Sequence, residues 1–338
     1  MKAYIIRAGS TDLDGLERVD RPDPEPGEKE ILVRMRAASL NYRDQMVITG
    51  NYFGGKVTED TVPLSDGAGE VVRAGPGVTR FQVGDRVCGT FFKHWLDGPP
   101  QPTRFEALGQ NGTDGVLQEY AIFHEDNAVA VPANLSFEEA ACLPCAGVTA
   151  WNALVTQGHI EPGQSVLTLG TGGVSIFGLQ FAKAAGARVI ATSSSDEKLA
   201  RVRDLGADEI INYKATPEWG EEVVKRTGGR GVDHVVEIGG VGTLAQSMKA
   251  VGPCGNVALI GFLGGPEGNP APHTLMGKWA KLQGIVVGNR AMFEAMNAAI
   301  EANDIKPVID SVFAFDDARA AYEYELAGKH FGKVVIGI

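Results

Sequence analysis

Cysteine is scarce in this chain. Four residues among 338 (Cys88, Cys142, Cys145 and Cys254) make no disulfide framework, which suits a reducing compartment. Cys142 and Cys145 form a C-x-x-C, but no second pair closes a four-ligand zinc site, so they read as two small apolar residues where a helix meets a loop. Basic residues are outnumbered: 31 Lys and Arg against 42 Asp and Glu leave a net charge of −11. With no segregated basic patch, nucleic acid and anionic lipid are not expected partners. Long apolar runs are also missing, since none approaches the roughly 20 residues of a membrane span. The start MKAYIIRAGSTDLDG lacks the basic, apolar and small-residue order of a secretory signal, so a cytoplasmic protein is expected. The six histidines (His94, His124, His159, His234, His273, His330) show no H-x-x-x-H or H-x-x-H spacing. No G-x-S-x-G follows a strand, which excludes a serine hydrolase.

What is present divides in two, and the length is too great for one core. The first 146 residues read as short strands between Pro, Gly and Asp turns: Lys2 to Arg7, Glu30 to Ala38, Ala68 to Ala74 and Gln118 to Ile122. From Ser165 the text changes to short apolar runs, each followed by a helical pattern, the alternation of a parallel sheet covered on both faces. SVLTL (165–169) is the first such strand, with a helical stripe at Val174, Phe177, Phe181, Ala184 and Ala185 ended by Gly186. ARVIAT (187–192) follows, and Ser194 with Glu197 reads as a capping box. EIIN (209–212), VDHVVEI (232–238) and NVALI (256–260) continue the pattern. The last residues hold two amphipathic helices, near 291–301 and 316–327, and the strand KVVIGI. They pack most economically against the β-rich start, so a nucleotide domain over 147–287 interrupts a domain made of 1–146 and 288–338.

Between the first strand and helix of that inserted domain lies GTGGVS. Gly170, Thr171, Gly172, Gly173 and Val174 place backbone amides at a helix N-terminus, where a pyrophosphate can approach. Strand, loop, helix and next strand are all in order, which is the context the fingerprint needs. Ser175 replaces the last glycine. Where an Asp or Glu would hold the ribose of NAD, the sequence has Thr192, Ser193, Ser194 and Ser195, with Lys198 and Arg201 beyond. Hydroxyls and cations without an acid favour NADP(H), although these serines also suit helix capping.

Over essentially the whole chain the sequence resembles the medium-chain dehydrogenase/reductase superfamily, in its zinc-independent, quinone-oxidoreductase-like branch. The motifs are SLNYRD (39–44), DGAGEVVRAGPGVTRFQVGDRV (66–87), LPCAGVTAW (143–151), GTGGVSIFGLQFAKAAGA (170–187) and VVGNR (286–290). The resemblance implies an α/β chain with a GroES-like β-rich catalytic domain, a doubly wound Rossmann domain, a cofactor between them, and a homodimer. Zinc-dependent members hold the metal with a Cys, a His and a second Cys. Here Asn41 stands at the first place, Leu64, Ser65 and Asp66 replace the Gly-His-Glu pattern of the second, and Cys145 alone remains. The structural-zinc lobe, Phe91 to Gly115, has no cysteine. No zinc is expected.

Without a Lewis acid, hydrogen-bond donors must stabilise charge on a substrate carbonyl and a side chain or water must supply the proton. That suits quinones or α,β-unsaturated carbonyls as substrates. An NADP-dependent alcohol dehydrogenase or aldehyde reductase is the alternative, and a non-catalytic NADPH-binding protein the reading from another class. The resemblance puts Tyr52 near the nicotinamide as proton donor or carbonyl anchor, a place also open to a half-buried loop aromatic. It puts Asn41 and Tyr42 at the vacated metal and hydroxyl-relay positions, with Asn41 beside the nicotinamide ribose. His94, in the insertion 91–112, is a candidate acid; Phe91, Phe92 and Trp95 either line a pocket or anchor that loop. Implied cofactor contacts are Thr149, Lys198, Tyr213, the backbone of Ile260, Phe262 and Val287, and Lys333 at the pyrophosphate.

Overall fold

The computed structural model describes residues 1–53, 55–101, 106–265 and 267–338. Its strands and helices run β1 (Lys2–Ile6), β2 (Leu16–Asp20), β3 (Glu30–Ser39), α1 (Tyr42–Ile48), β4 (Asp66–Ala74), β5 (Arg86–Gly89), β6 (Tyr120–His124), β7 (Ala128–Ala130) and α2 (Phe137–Ala140). Then come α3 (Val148–Trp151), β8 (Ser165–Leu169), α4 (Gly173–Ala184), β9 (Arg188–Ser193), α5 (Asp196–Asp204), β10 (Glu209–Asn212), α6 (Trp219–Arg226), β11 (Val232–Glu237), α7 (Val241–Ala250), β12 (Val251–Leu259) and β13 (Lys281–Gly284). The chain ends with α8 (Arg290–Ala302), β14 (Ile309–Ala314), α9 (Ala318–Leu326) and β15 (Lys333–Gly337). Contacts sort these into two units, Met1–Val148 with Gly288–Ile338, and Thr149–Val287.

In the first unit the long strand β3 is the spine of a sheet ordered β14-β15-β3-β4-β5-β7, with β6 also paired to β3. Alternation sends Ile31, Val33 and Met35 inward onto Val71, Val87, Leu117 and Phe123. The register places Ser39 at the end of β3 opposite Asp66 on one side and Val335 on the other. Three segments distant in sequence therefore meet just beyond β3, and helix α1, which the hydrophobic pattern did not mark, starts there.

The second unit holds a wholly parallel sheet in the order β10-β9-β8-β11-β12-β13. Its central strands are apolar on both faces because helices cover both. The buried stripe of α4 is wider than expected. Phe177 and Phe181 are buried and stack at 5.8 Å, but Ile176, Leu179 and Ala182 are buried too while Ala184 is exposed. The reason is close docking: a Cβ on Gly178 would stand 3.4 Å from Val236 of the sheet. Strand β12 starts earlier than expected, since the pairing jumps from Val232↔Val251 to His234↔Asn256 and absorbs Gly252–Gly255 as a bulge. Among the described residues no helix is long and apolar enough to cross a membrane.

Candidate functional site

In the second unit the glycine loop has the geometry its motif demands. Gly170 takes φ +72°, a left-handed turn that favours glycine, and its N–H donates to Thr192 O at 2.9 Å. Gly172 caps α4 in extended backbone, and a Cβ added there would meet nothing within 4 Å. The chain's own packing thus leaves room beside Gly172. Ser175 is buried and donates to Leu169 O at 2.6 Å, tying helix to strand.

Ser193, Ser194, Lys198 and Tyr213 gather where β9 and β10 end, for Tyr213 N donates to Ser193 O at 3.1 Å. The helix cap differs from expectation. Ser195, not Ser194, caps α5, accepting from Lys198 N at 3.3 Å, so Lys198 takes the place expected of Glu197. Ser193 Oγ in turn accepts from Ser195 N at 3.3 Å. With three serines in a row, spacing alone allowed either cap, and the turn at Ser193 chose the later one.

Ile260 and Phe262 follow β12 in a loop organised by a residue the sequence did not single out. Glu237 is fully buried and accepts from Gly239 N at 2.6 Å, Gly240 N at 2.9 Å, Thr243 Oγ1 at 2.6 Å and Ser247 Oγ. Its carbonyl also receives Ile260 N at 2.9 Å. Val287 has φ +48°, strained for a β-branched residue, and its carbonyl accepts from Asn152 Nδ2 at 2.7 Å. Thr149 is buried at the start of this unit.

In the first unit the expected residues separate. Asn41 caps α1, and Asp44 Oδ2 accepts its N–H at 2.8 Å. Lys333, expected at the pyrophosphate, is buried at this cap. Its ammonium donates to Leu40 O and Asn41 Oδ1, both at 2.5 Å, because β15 runs beside the end of β3. Asp66 is spent likewise, accepting from Ser65 Oγ at 2.7 Å and Cys145 N at 2.9 Å. Cys145 lies in a π-helical turn, Leu143–Gly147.

Tyr52 is half-buried in the loop after α1. Beneath its ring lies Arg43, Cζ 5.0 Å from the centroid, with Phe91 4.9 Å from the same atom. Arg43 is buried and donates to Leu108 O at 3.0 Å, Asp44 Oδ1 at 3.2 Å and Gln110 Oε1 at 3.3 Å. Tyr42, by contrast, is exposed on α1. His94 is not brought to this group: it faces Glu106 at 3.5 Å and lines a separate pocket with Lys93, His124 and Asp126. Phe91, Phe92 and Trp95 are buried, so they anchor the insertion, of which Pro102 to Phe105 lie outside the described residues.

Comparison with known proteins agrees across both units. Residues 27–133 match the alcohol dehydrogenase GroES-like domain and residues 173–302 the zinc-binding dehydrogenase family. A zinc-type alcohol dehydrogenase-like protein of Schizosaccharomyces pombe is 45% identical over 346 residues, covering 99% of each chain. The chain belongs to the medium-chain dehydrogenase/reductase superfamily. A 2-methylene-furan-3-one reductase of Solanum lycopersicum is 34% identical over 99% of this chain and 79% of its own. The solved structure of an NAD-dependent alcohol dehydrogenase superposes with a TM-score of 0.92 at 35% identity, covering 100% of both chains. The protein is therefore a nicotinamide-dependent oxidoreductase of the dehydrogenase/reductase superfamily.

Zinc is implied by one family model, and the donors here do not fit it. Asn41 Oδ1 is bound by an ammonium, and both Asp66 oxygens are occupied. Burial, reinforced by Asp66, pushes the Cys145 thiol up, away from the thiolate a metal needs. Two buried cations stand beside these residues, Arg43 on Asp44 and Lys333 on Asn41. Among the described residues no group of three or more His, Cys, Asp or Glu is placed to hold a metal ion.

The same cluster makes stability depend on pH. Burial pushes the Asp44 carboxyl up to about 7 against the opposing pull of Arg43. A carboxyl raised above its unfolded value of about 3.9 stabilises the fold fully below that value and loses the contribution as pH rises through 7. Relative to Asp44→Asn, the wild type should lose about 2–3 kcal/mol between pH 5 and 8, read from urea midpoints. Parallel curves for the two proteins would contradict this assignment.

Proposed function

We propose that the protein is an NADP(H)-dependent, zinc-independent reductase of quinones or α,β-unsaturated carbonyls, with Tyr52 as proton donor. The observation that carries this reading is the pair of fixed cations, Arg43 and Lys333, among donors already spent on hydrogen bonds. When bound, the nicotinamide supplies a hydride. The chain's own residues then have two tasks: to donate a hydrogen bond to the oxygen on which charge develops, and to deliver one proton. Tyr52 serves both, since burial raises its pKa and keeps the phenol protonated at neutral pH. Asn41, its amide oxygen held by Lys333, stays the nearest candidate for a cofactor contact in this unit.

Cofactor choice rests on the second unit. Ser193, Ser194 and Lys198 present hydroxyls and an ammonium where an acid would favour NAD, and Tyr213 borders them. The loop 170–174 is assigned to the pyrophosphate, and Thr149, Ile260, Phe262 and Val287 to the nicotinamide side. Replacing Ser193 with aspartate is expected to raise the KM for NADPH at least ~10-fold through repulsion of the 2′-phosphate, leaving NADH affected less. A wild type that prefers NADH, or a Ser193→Asp variant that discriminates as before, would overturn the assignment. Because relatives named alcohol dehydrogenases match the whole chain, oxidation of a simple alcohol with NADP+ is the second reading. Alcohol turnover that exceeds quinone and enone turnover would favour it.

A further inference from the structure

The guanidinium of Arg43 points to a role of its own. Arg43 is buried with its charge, an arrangement that is costly unless acceptors face it. Three acceptors hold it in place: Leu108 O, Asp44 Oδ1 and Gln110 Oε1. Two aromatic rings lie against it, those of Tyr52 and Phe91. Gln110 extends the arrangement by donating from Nε2 to Phe53 O at 2.6 Å, which ties the loop carrying Tyr52 to the guanidinium. The carboxylate of Asp44 is one of the charges that face this group, and Cys145 lies close enough to act on both Arg43 and Tyr52.

We propose that Arg43 is the positioning residue for Tyr52: through the stack and the Gln110 tie it fixes the loop, and its charge stabilises the tyrosinate left when Tyr52 gives up its proton. The inference rests on the reading of Tyr52 as donor. In the step concerned, hydride arrives at the acceptor carbon, the Tyr52 O–H bond breaks, its proton passes to the reduced substrate, and solvent later restores the phenol. A cation at this range favours the anionic product of that transfer and leaves the neutral phenol little changed. Arginine suits the position because its planar group stacks on a ring while its N–H groups hold three acceptors in a fixed fork, whereas a lysine ammonium has donors but no planar face.

The test is a kinetic double-mutant cycle with NADPH and 9,10-phenanthrenequinone or 2-cyclohexenone, using wild type, Arg43→Met, Tyr52→Phe and the double variant. Arg43→Met should lower kcat ~30-fold with the KM for NADPH changed by no more than about three-fold, and Arg43→Lys should recover part of the loss. In the Tyr52→Phe background, Arg43→Met should have no further effect on kcat. Effects that multiply, or a loss confined to the NADPH KM, would overturn the proposal. If Arg43→Met fails to fold because Asp44 is left unpaired, the Arg43→Met, Asp44→Asn pair takes its place against Asp44→Asn as reference. A Tyr52→Phe protein as active as wild type would instead sink the donor reading, so the two failures are told apart by that single arm.

Discussion

Tyr52→Phe is expected to lower kcat for a quinone or enone ~10²-fold while leaving the KM for NADPH within about three-fold of wild type. The substitution removes one hydroxyl and keeps the ring that stacks on Arg43, so the loop should stay where it is. The loss then reports proton delivery and oxygen stabilisation, the two tasks a metal would otherwise share. Burial keeps the phenol protonated and Arg43 opposes that shift, so the wild-type rate should not fall as pH rises from 6 to about 9 by loss of this proton. Steady-state kinetics over that range check both statements. An unchanged kcat would return the proton to water and demote Tyr52 to a packing role.

The largest stability effect is expected at Glu237. Removing this carboxylate in Glu237→Ala strands two amides and two hydroxyls that now converge on it. Buried donors left without partners cost about 1–3 kcal/mol each and are not additive, so a total of about 3–5 kcal/mol is expected. For a chain of this size that corresponds to a Tm lower by roughly 4–7 °C. The effect should reach the cofactor as well, because the carboxylate holds Gly239 and Gly240 in place. Against that turn lies Phe262, whose Cα would stand 2.8 Å from a Cβ on Gly240. Calorimetry and NADPH fluorescence titration measure the two effects. A Tm within about 2 °C of wild type would show that water replaces the carboxylate and that the loop does not depend on it.

What the sequence disclosed follows a physical line. The glycine loop, the apolar strands and the parallel alternation were legible because each rests on residues within a few positions of one another: Gly170 turns the chain directly after SVLTL, and Phe177 and Phe181 lie one turn apart. The superfamily was legible from the same local motifs. The two buried cations were not, because most of their partners lie far off in the sequence. Lys333 reaches Asn41 across 292 positions, and its place depends on β15 lying beside β3. Arg43 stood in view in SLNYRD, yet an arginine on a short helix reads as solvated surface until Leu108 and Phe91 are seen to cover it. Glu237 ended a strand like any polar residue, and only the turn after it reveals four donors aimed at one carboxylate. His94 was singled out by its type and its place in the insertion 91–112, and neither fixes which way a side chain in a long loop faces.

The central claim is hydride transfer without a metal. It is tested most directly by NADPH oxidation after dialysis against a chelator, with 9,10-phenanthrenequinone, 2-cyclohexenone and an aldehyde as parallel acceptors and NADH as the control. Quinone or enone turnover that survives chelation, gains nothing from added zinc and requires NADPH is the predicted result. Activity lost on chelation and restored by zinc would contradict it, and would mean that Asn41, Asp66 and Cys145 exchange their present hydrogen bonds for a metal.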